Sequence, residues 1–362
     1  MAFDYQNTHT LLMSVRQMLP VRRFLLDRYF PTNDTTDVFA TNDVLVEYKK
    51  GNKVAAPFVA PRKGGITIMR DGSTMKRFTP ARIAPKRTLT ADELEKRGFG
   101  EALYTNLRPD QRQGIIMMAD MDEMRNMIIR RMEAMASDVI FTGGCIMNEY
   151  TDDLGHYEER EVRYYEGEKN PAVYTPEADW NTSEASGRQL LNDIAAMISI
   201  LAARGLGATD VLVAPDVADI FLGNEWILRL LDNRNYQIGG VNPEELPSGV
   251  AKIARLNIKG RMMDILSYEE TYTELDGREK PYIPAGTIAV GAPAAGRMLH
   301  GAITQIEQAD GVFHTYTGQY VPKYISDAIN DVREVRLSSA PLPMPNNEGA
   351  FISAKVLGTA KG

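Results

Sequence analysis

Residues 107–141 read LRPDQRQGIIMMADMDEMRNMIIRRMEAMASDVIF, and this stretch decides the architecture. From Met117, apolar side chains return at Met121, Met124, Ile128, Met132, Met135 and Val139. Steps of four and three hold them in one stripe along an α-helix. Asp122, Glu123, Arg125, Asn126, Arg130 and Glu133 fall between, which predicts an opposite side that is wet or charge-paired. Pro109 followed by Asp110 suits a first turn, where a missing amide is harmless and an acid meets the positive end of the dipole. Gly143 and Gly144 stop the helix. At roughly 1.5 Å per residue it approaches about 50 Å, more than a compact domain needs, so it reads as a spine. The seven methionines between Met117 and Met135 are unbranched and polarisable, which suits both core filling and a surface that repacks against changing neighbours.

The chain of 362 residues is long enough for two or three domains, and a 44% hydrophobic, 25% charged composition is that of a globular protein rather than a disordered one. A net charge of −7 excludes nucleic-acid binding by bulk electrostatics, leaving only local basic segments to touch phosphate. Cys145 is the only cysteine, so there is no intramolecular disulfide and no cysteine framework for a metal; a reducing setting is expected. Residues 1–10 lack the basic segment and apolar core of a signal peptide, and no apolar run is long enough to span a bilayer.

Upstream of the spine, two short helical patterns span 8–29, separated by Pro20. Helices of about ten residues are marginal alone, so this arm is expected to lie on the body or on another subunit. Strand-like runs follow at 37–39 and 44–48. Residues 49–90 then combine four prolines, Gly64-Gly65 and an Asp71-Gly72 turn with eleven cations against the single acid Asp71; Arg62, Lys63, Arg70, Lys76 and Arg77 are among those cations. Ile66 and Ile68 before the turn and Met75 and Phe78 after it predict a projecting two-stranded hairpin, too poor in apolar surface to stand alone.

Downstream, residues 146–165 alternate acidic and apolar side chains and predict a long antiparallel hairpin turning at 153–155. Asp152, Asp153, His156 and Glu158 lack the tight oxygen-rich loop of a calcium site and the second histidine of a zinc site, so no metal is expected there. From 175 a compact α/β unit is expected: a helix ending at Gly205, a buried strand at 211–214, helices opened by Pro215-Asp216 and spanning 225–231, strands at 261–272 and 282–284 around Asp276-Gly277, and a strand at 287–290. The chain returns as strands at 297–304, 312–324, 332–340 and 350–356, with Pro341, Pro343 and Pro345 read as edge and turn residues. Those strands need a partner surface, and the spine is the large apolar one left unclaimed.

No catalytic constellation appears. His9, His156, His300 and His314 have no Cys, Ser or Asp motif around them, and P-loop, GxSxG and HExxH patterns are absent, so neither an enzyme nor a cofactor is expected. Instead an ordered series of short matches resembles the major capsid protein of lambda-like tailed phages, the capsid protein E family. It runs through Gly72-Ser73-Thr74, Phe78-Thr79-Pro80, Pro85-Lys86, Arg112 with Ile115-Ile116-Met117, and Ala214-Pro215-Asp216. Further on come Ile283-Pro284, Val290-Gly291, Ala295 with Arg297, Gly301 and Ser339-Ala340-Pro341-Leu342.

The resemblance implies an α+β, HK-ninety-seven-type capsid fold: an N-terminal arm at 1–47, an extended E-loop at 48–90, a peripheral domain at 91–177 with 296–362, and an inserted axial domain at 178–295. It also implies hexamers and pentamers closing an icosahedral shell around double-stranded DNA held by weak contacts, with portal, scaffold and decoration proteins as further partners and no membrane. A cellular compartment shell of the same fold, of the encapsulin kind, is the alternative. On that reading the basic loop crosses the acidic back of the next subunit, with Arg62, Lys63, Arg70, Lys76, Arg77 and Phe78 on one side and Asp120, Asp122 and Glu123 of the spine on the other.

Overall fold

The computed structural model describes residues 23–49, 73–95, 108–151, 156–181, 187–227, 239–240, 244–245, 249–308 and 310–358. The spine is the α-helix Pro109–Thr142, 34 residues long. Pro109 occupies its first turn, and the Gln111 side chain accepts the Arg108 amide at 3.2 Å. Gly143 ends it at φ 75°, where a side chain would also meet Asn170. The stripe from Met117 to Val139 is buried along its whole length. It rests on Gly144–Tyr150, Val332–Ser338, Pro341–Pro345 and Ile352–Lys355, so the returning strands do find the spine.

Beside it lies an eight-stranded mixed sheet, ordered Val173–Tyr174, Ile352–Lys355, Thr287–Gly291, Asp210–Val213, Arg261–Tyr268, Val250–Ile258 and Gly239–Gly240, with Glu244–Glu245 also paired to Val250–Ile258. Asp210–Val213 is buried throughout, parallel to Arg261–Tyr268 and antiparallel to Thr287–Gly291. Helix Gly187–Ala203 packs on Thr287–Gly291, Val250–Ile258 and Ile352–Lys355, and helix Pro215–Gly223 on Arg261–Tyr268. Val173–Tyr174 and Ile352–Lys355 belong to this sheet, which therefore runs across the expected divisions at 177/178 and 295/296. One continuous hydrophobic core joins spine, arm and sheet.

Several expected strands change in detail; among them the one at 312–324 is two, Phe313–Tyr316 and Val321–Asp327. Val250–Ile258 is a strand that the sequence reading left out, and the expected strand at 261–272 is two, Arg261–Tyr268 and Thr271–Thr273, with Glu279–Pro281 as the return. The expected 297–304 strand breaks at Gly301 into Gly296–His300 and Ile303–Ile306. The proline run is a buried strand, Pro341–Pro345, paired with Gly296–His300. Proline has no N–H to give a ladder, so the bonds run through Leu342 and Met344 while the three proline nitrogens face away. On that outer side the Pro343 carbonyl accepts the Tyr164 hydroxyl at 2.6 Å. The first helical pattern of the arm, the Asp71-Gly72 turn and the turn at 153–155 lie outside the described residues. The arm's second pattern is the helix Phe24–Tyr29.

Candidate assembly interface

Val44–Lys49 and Ser73–Phe78 pair antiparallel from Val44↔Phe78 to Lys49↔Ser73, forming the root from which 50–72 departs. The root is fastened to its own body. The Lys76 ammonium lies 3.2 Å from Glu348 and 3.6 Å from Glu166, Arg77 pairs with Asp43, and the Phe78 ring sits 5.4 Å from that of Tyr164. Asp43 also accepts the Thr79 hydroxyl at 2.6 Å, and with Arg77 this holds its carboxyl below the usual range. Within 73–90, Lys76, Arg77 and Arg87 already meet carboxylates of their own chain. Arg62, Lys63 and Arg70 lie outside the described residues.

The acidic face of the spine is likewise partly taken. Lys86–Thr90 joins the three-stranded sheet with Val332–Ser338 and Val321–Asp327, which brings the Arg87 guanidinium to 3.0 Å from Asp120 and 2.7 Å from Glu123. Burial nevertheless raises the Asp120 carboxyl. Asp122 is half-buried. Beyond these, the hairpin Gly144–Tyr150 with Tyr157–Arg163 presents Glu158 and Glu159 exposed, next to the exposed ring pair Tyr150 and Tyr157, 5.7 Å apart. Arg87, Asp120 and Glu123 therefore converge within one chain, whereas Lys76, Arg77 and Phe78 sit on a separate face of contacts.

Two residues expected on the wet side of the spine are buried, Arg125 and Glu133. Arg125 lies over the Tyr320 ring at 5.5 Å. The Glu133 carboxylate receives the amides of Leu25 and Leu26 at 2.7 and 3.1 Å, the open first turn of helix Phe24–Tyr29, and it also takes a bond from Tyr268. Burial outweighs these bonds and pushes its carboxyl up to about 7. The other end of the short helix is held by Asp210, which accepts Arg28 Nε at 2.5 Å, Arg28 Nη2 at 3.0 Å and the Tyr29 hydroxyl at 3.0 Å. One short helix thereby ties the spine to the central strand of the sheet. The sequence carried one sign of this: around Glu133 the run 132–136, MEAMA, is apolar on every side, as in a helix covered all round.

Among the described residues, no three His, Cys, Asp or Glu side chains gather as a metal site, and no helix is long and apolar enough to cross a membrane. What the geometry offers is surface: a loop root paired to its own body, a partly neutralised acidic spine and an exposed aromatic hairpin, all on one continuous core. The fold as a whole is similar to that in the crystal structure of a putative capsid protein of a prophage of Escherichia coli CFT073, with a TM-score of 0.64, 17% identity, and coverage of 97% of this chain and 99% of that one. The sequence profile of the family described as phage major capsid protein E matches residues 7–356, and the chain belongs to that family. It is 24% identical over 355 residues to the major capsid protein of Enterobacteria phage P21, and equally to the P21 prophage-derived major head protein of Escherichia coli O6:H1, covering 96% of this chain and 98% of each relative. The family is one of structural proteins of the phage head.

Proposed function

We propose that this chain self-assembles, in the host cytoplasm, into hexamers and pentamers that close an icosahedral shell around packaged double-stranded DNA. The observation that carries the reading is the loop root: two strands pinned to the body by Lys76, Arg77 and Phe78 launch a segment, 50–72, that bears Lys50, Lys53, Arg62, Lys63 and Arg70 and whose only acid is the terminal Asp71. Cations concentrated on one segment repel each other until opposite charge is found, and Glu158 and Glu159 of a neighbouring copy supply it. Each exposed pair contributes about 0–1 kcal/mol, so the contact acts through repetition around the shell and weakens with salt. The net charge of −7 keeps the shell from gripping DNA, since each neutralised phosphate would strengthen binding through released counterions. The arm, loop, peripheral and axial divisions at 1–47, 48–90, 91–177 with 296–362, and 178–295 are proposed as working parts joined by one core. Portal, scaffold and decoration proteins are the further partners this assembly would meet.

The test is negative-stain microscopy with size-exclusion chromatography of the expressed full chain, with and without charge reversal at Arg62, Lys63 and Arg70. Shells or capsomers from the parent chain, and folded monomers from the reversed one, are expected. A small oligomer with unchanged behaviour after reversal would remove the loop contact, and closed particles enclosing host protein cargo would favour a compartment shell.

A further inference from the structure

His300 is fully buried, and among the described residues neither ring nitrogen has a hydrogen-bond partner. A buried imidazole ordinarily has at least one, because an orphaned polar nitrogen retains its desolvation penalty. The residue lies in a seam. Its amide donates to the Asp37 carbonyl at 2.8 Å, its own carbonyl accepts the Phe39 amide at 2.9 Å, and the Ala302 amide donates to Thr41 at 3.0 Å. Val38 and His300 thus form a parallel bridge, and a Cβ at Gly301 would stand 2.9 Å from the Asn42 carbonyl, so the two backbones are in direct contact. The segment sewn down in this way, 31–43, connects the clamped helix Phe24–Tyr29 to the loop-root strand Val44–Lys49.

We propose that this seam is a proton-released latch: protonation of His300 frees segment 31–43 and, with it, the strand that roots the loop. A neutral ring is tolerated inside, but an imidazolium there has two donors and no acceptor, and the ring can be hydrated only by leaving its site. The charged groups acting on the ring are Asp34 and Asp37, both from the seam itself. Neither is a hydrogen-bond partner of the ring in the closed seam. Asp37 is occupied by the Asn33 amide at 2.8 Å and the Thr36 hydroxyl at 3.0 Å, with Arg297 of the histidine's own strand at 3.7 Å, and Asp34 accepts Gln319 at 2.7 Å. Opposite His300 the next strand presents Pro341, which carries no charge. Burial accordingly pushes the ring down to about 4, despite the two carboxylates.

The sign follows from linkage. The open seam has an ordinary histidine near 6.5 and the closed seam one near 4, so the closed form is at full strength above 6.5 and loses ground as pH falls toward 4. The seam's opening constant should rise by up to about tenfold per pH unit across that window. The latch does not depend on the shell reading, since it is a property of the single chain.

Amide hydrogen exchange of the full chain, corrected for intrinsic rates and read on peptides covering 31–43 between pH 7 and 4.5, tests it. Protection of the seam should fall steeply in the wild type while Asp210–Val213 stays protected, and His300→Leu should make the seam response flat. A flat response in the wild type, or an unchanged one in His300→Leu, would overturn the proposal. Exchange at the histidine C2 carbon in the wild type reports the His300 midpoint directly and needs no variant to fold: a value well below 6.5 supports the latch, and one at or above 6.5 overturns it.

Discussion

The two halves of the spine continue one buried stripe and live in different surroundings. Up to Met127 an open row runs at four-residue spacing, Gln111, Ile115, Ala119, Glu123 and Met127, all exposed, with Ile115 at 60%. From Ile128 to Phe141 only Arg130 and Asp138 are exposed. The first half is a surface helix resting on strands, with Asp120 and Glu123 on Arg87 and, of its charges, Arg125 turned inward over Tyr320. The second is wrapped, so its polar groups have to be answered from inside: Glu133 by two amides and Tyr268, Ser137 by donating to the Tyr282 carbonyl. The spine is a beam fixed at its C-terminal half, and its other half carries the surface still open to another molecule.

The largest test of that contrast is Glu133→Ala, which strands two buried amides and is expected to reduce stability by about 3 kcal/mol in urea unfolding. Ile115→Ser in the same helix should change it by less than about 0.5 kcal/mol. Equal effects would break the comparison. Glu133 also has a pH signature. Its carboxyl is raised from 4.5 to about 7, so its contribution is fully present below 4.5 and is lost as pH rises through 7. Glu133→Gln should remove that slope.

Asp210→Asn ranks next. It weakens the fork from Arg28 and the bond from Tyr29 at the far end of the clamping helix, and a loss of about 2 kcal/mol is expected by the same unfolding assay. Hydrogen exchange should then rise in Phe24–Tyr29 before it rises in the first half of the spine. Met124→Leu, a volume-conserving exchange at a fully buried position, should shift stability by under about 1.5 kcal/mol. Smaller than these is Arg87→Ala, which removes half-exposed pairs to Asp120 and Glu123 and should register about 0–1 kcal/mol. A larger value would mean that the open half is more firmly held than its exposure indicates.

The parts of this fold that were legible in the sequence are those decided by neighbours in the chain. Pro109 and Gly143 mark the spine because capping is local, and the expected 107–141 differs from Pro109–Thr142 by two residues at one end and one at the other. Strand Val250–Ile258 carries a register shift between Lys252 and Ala254, which puts Ile253 and Ala254 both inside and cuts its alternation to the short run Ala254 to Ile258. The prolines of 341–345 looked like turn residues because nothing local tells which way their nitrogens face. Likewise the basic character of the loop was readable, whereas the partners of its root were not, since Lys76 meets Glu348 across 272 residues of chain. The clamp at Glu133 was hidden for the same reason: its amides come from 108 and 107 residues away.

The strand of alternating prolines bears on a hazard that any self-associating chain faces. Copies held at very high local concentration can join by adding strand to strand, and the product is then a fibre and not a closed body. Pro341–Pro345 is sheltered by Tyr164 on its outer side. Should that shelter swing away as a subunit breathes, the uncovered edge offers carbonyls and no amide hydrogens at Pro341, Pro343 and Pro345, so no ladder can be completed there. Growth in one dimension is thereby shut off at a site where the rest of the strand, Leu342 and Met344, is apolar enough to invite it.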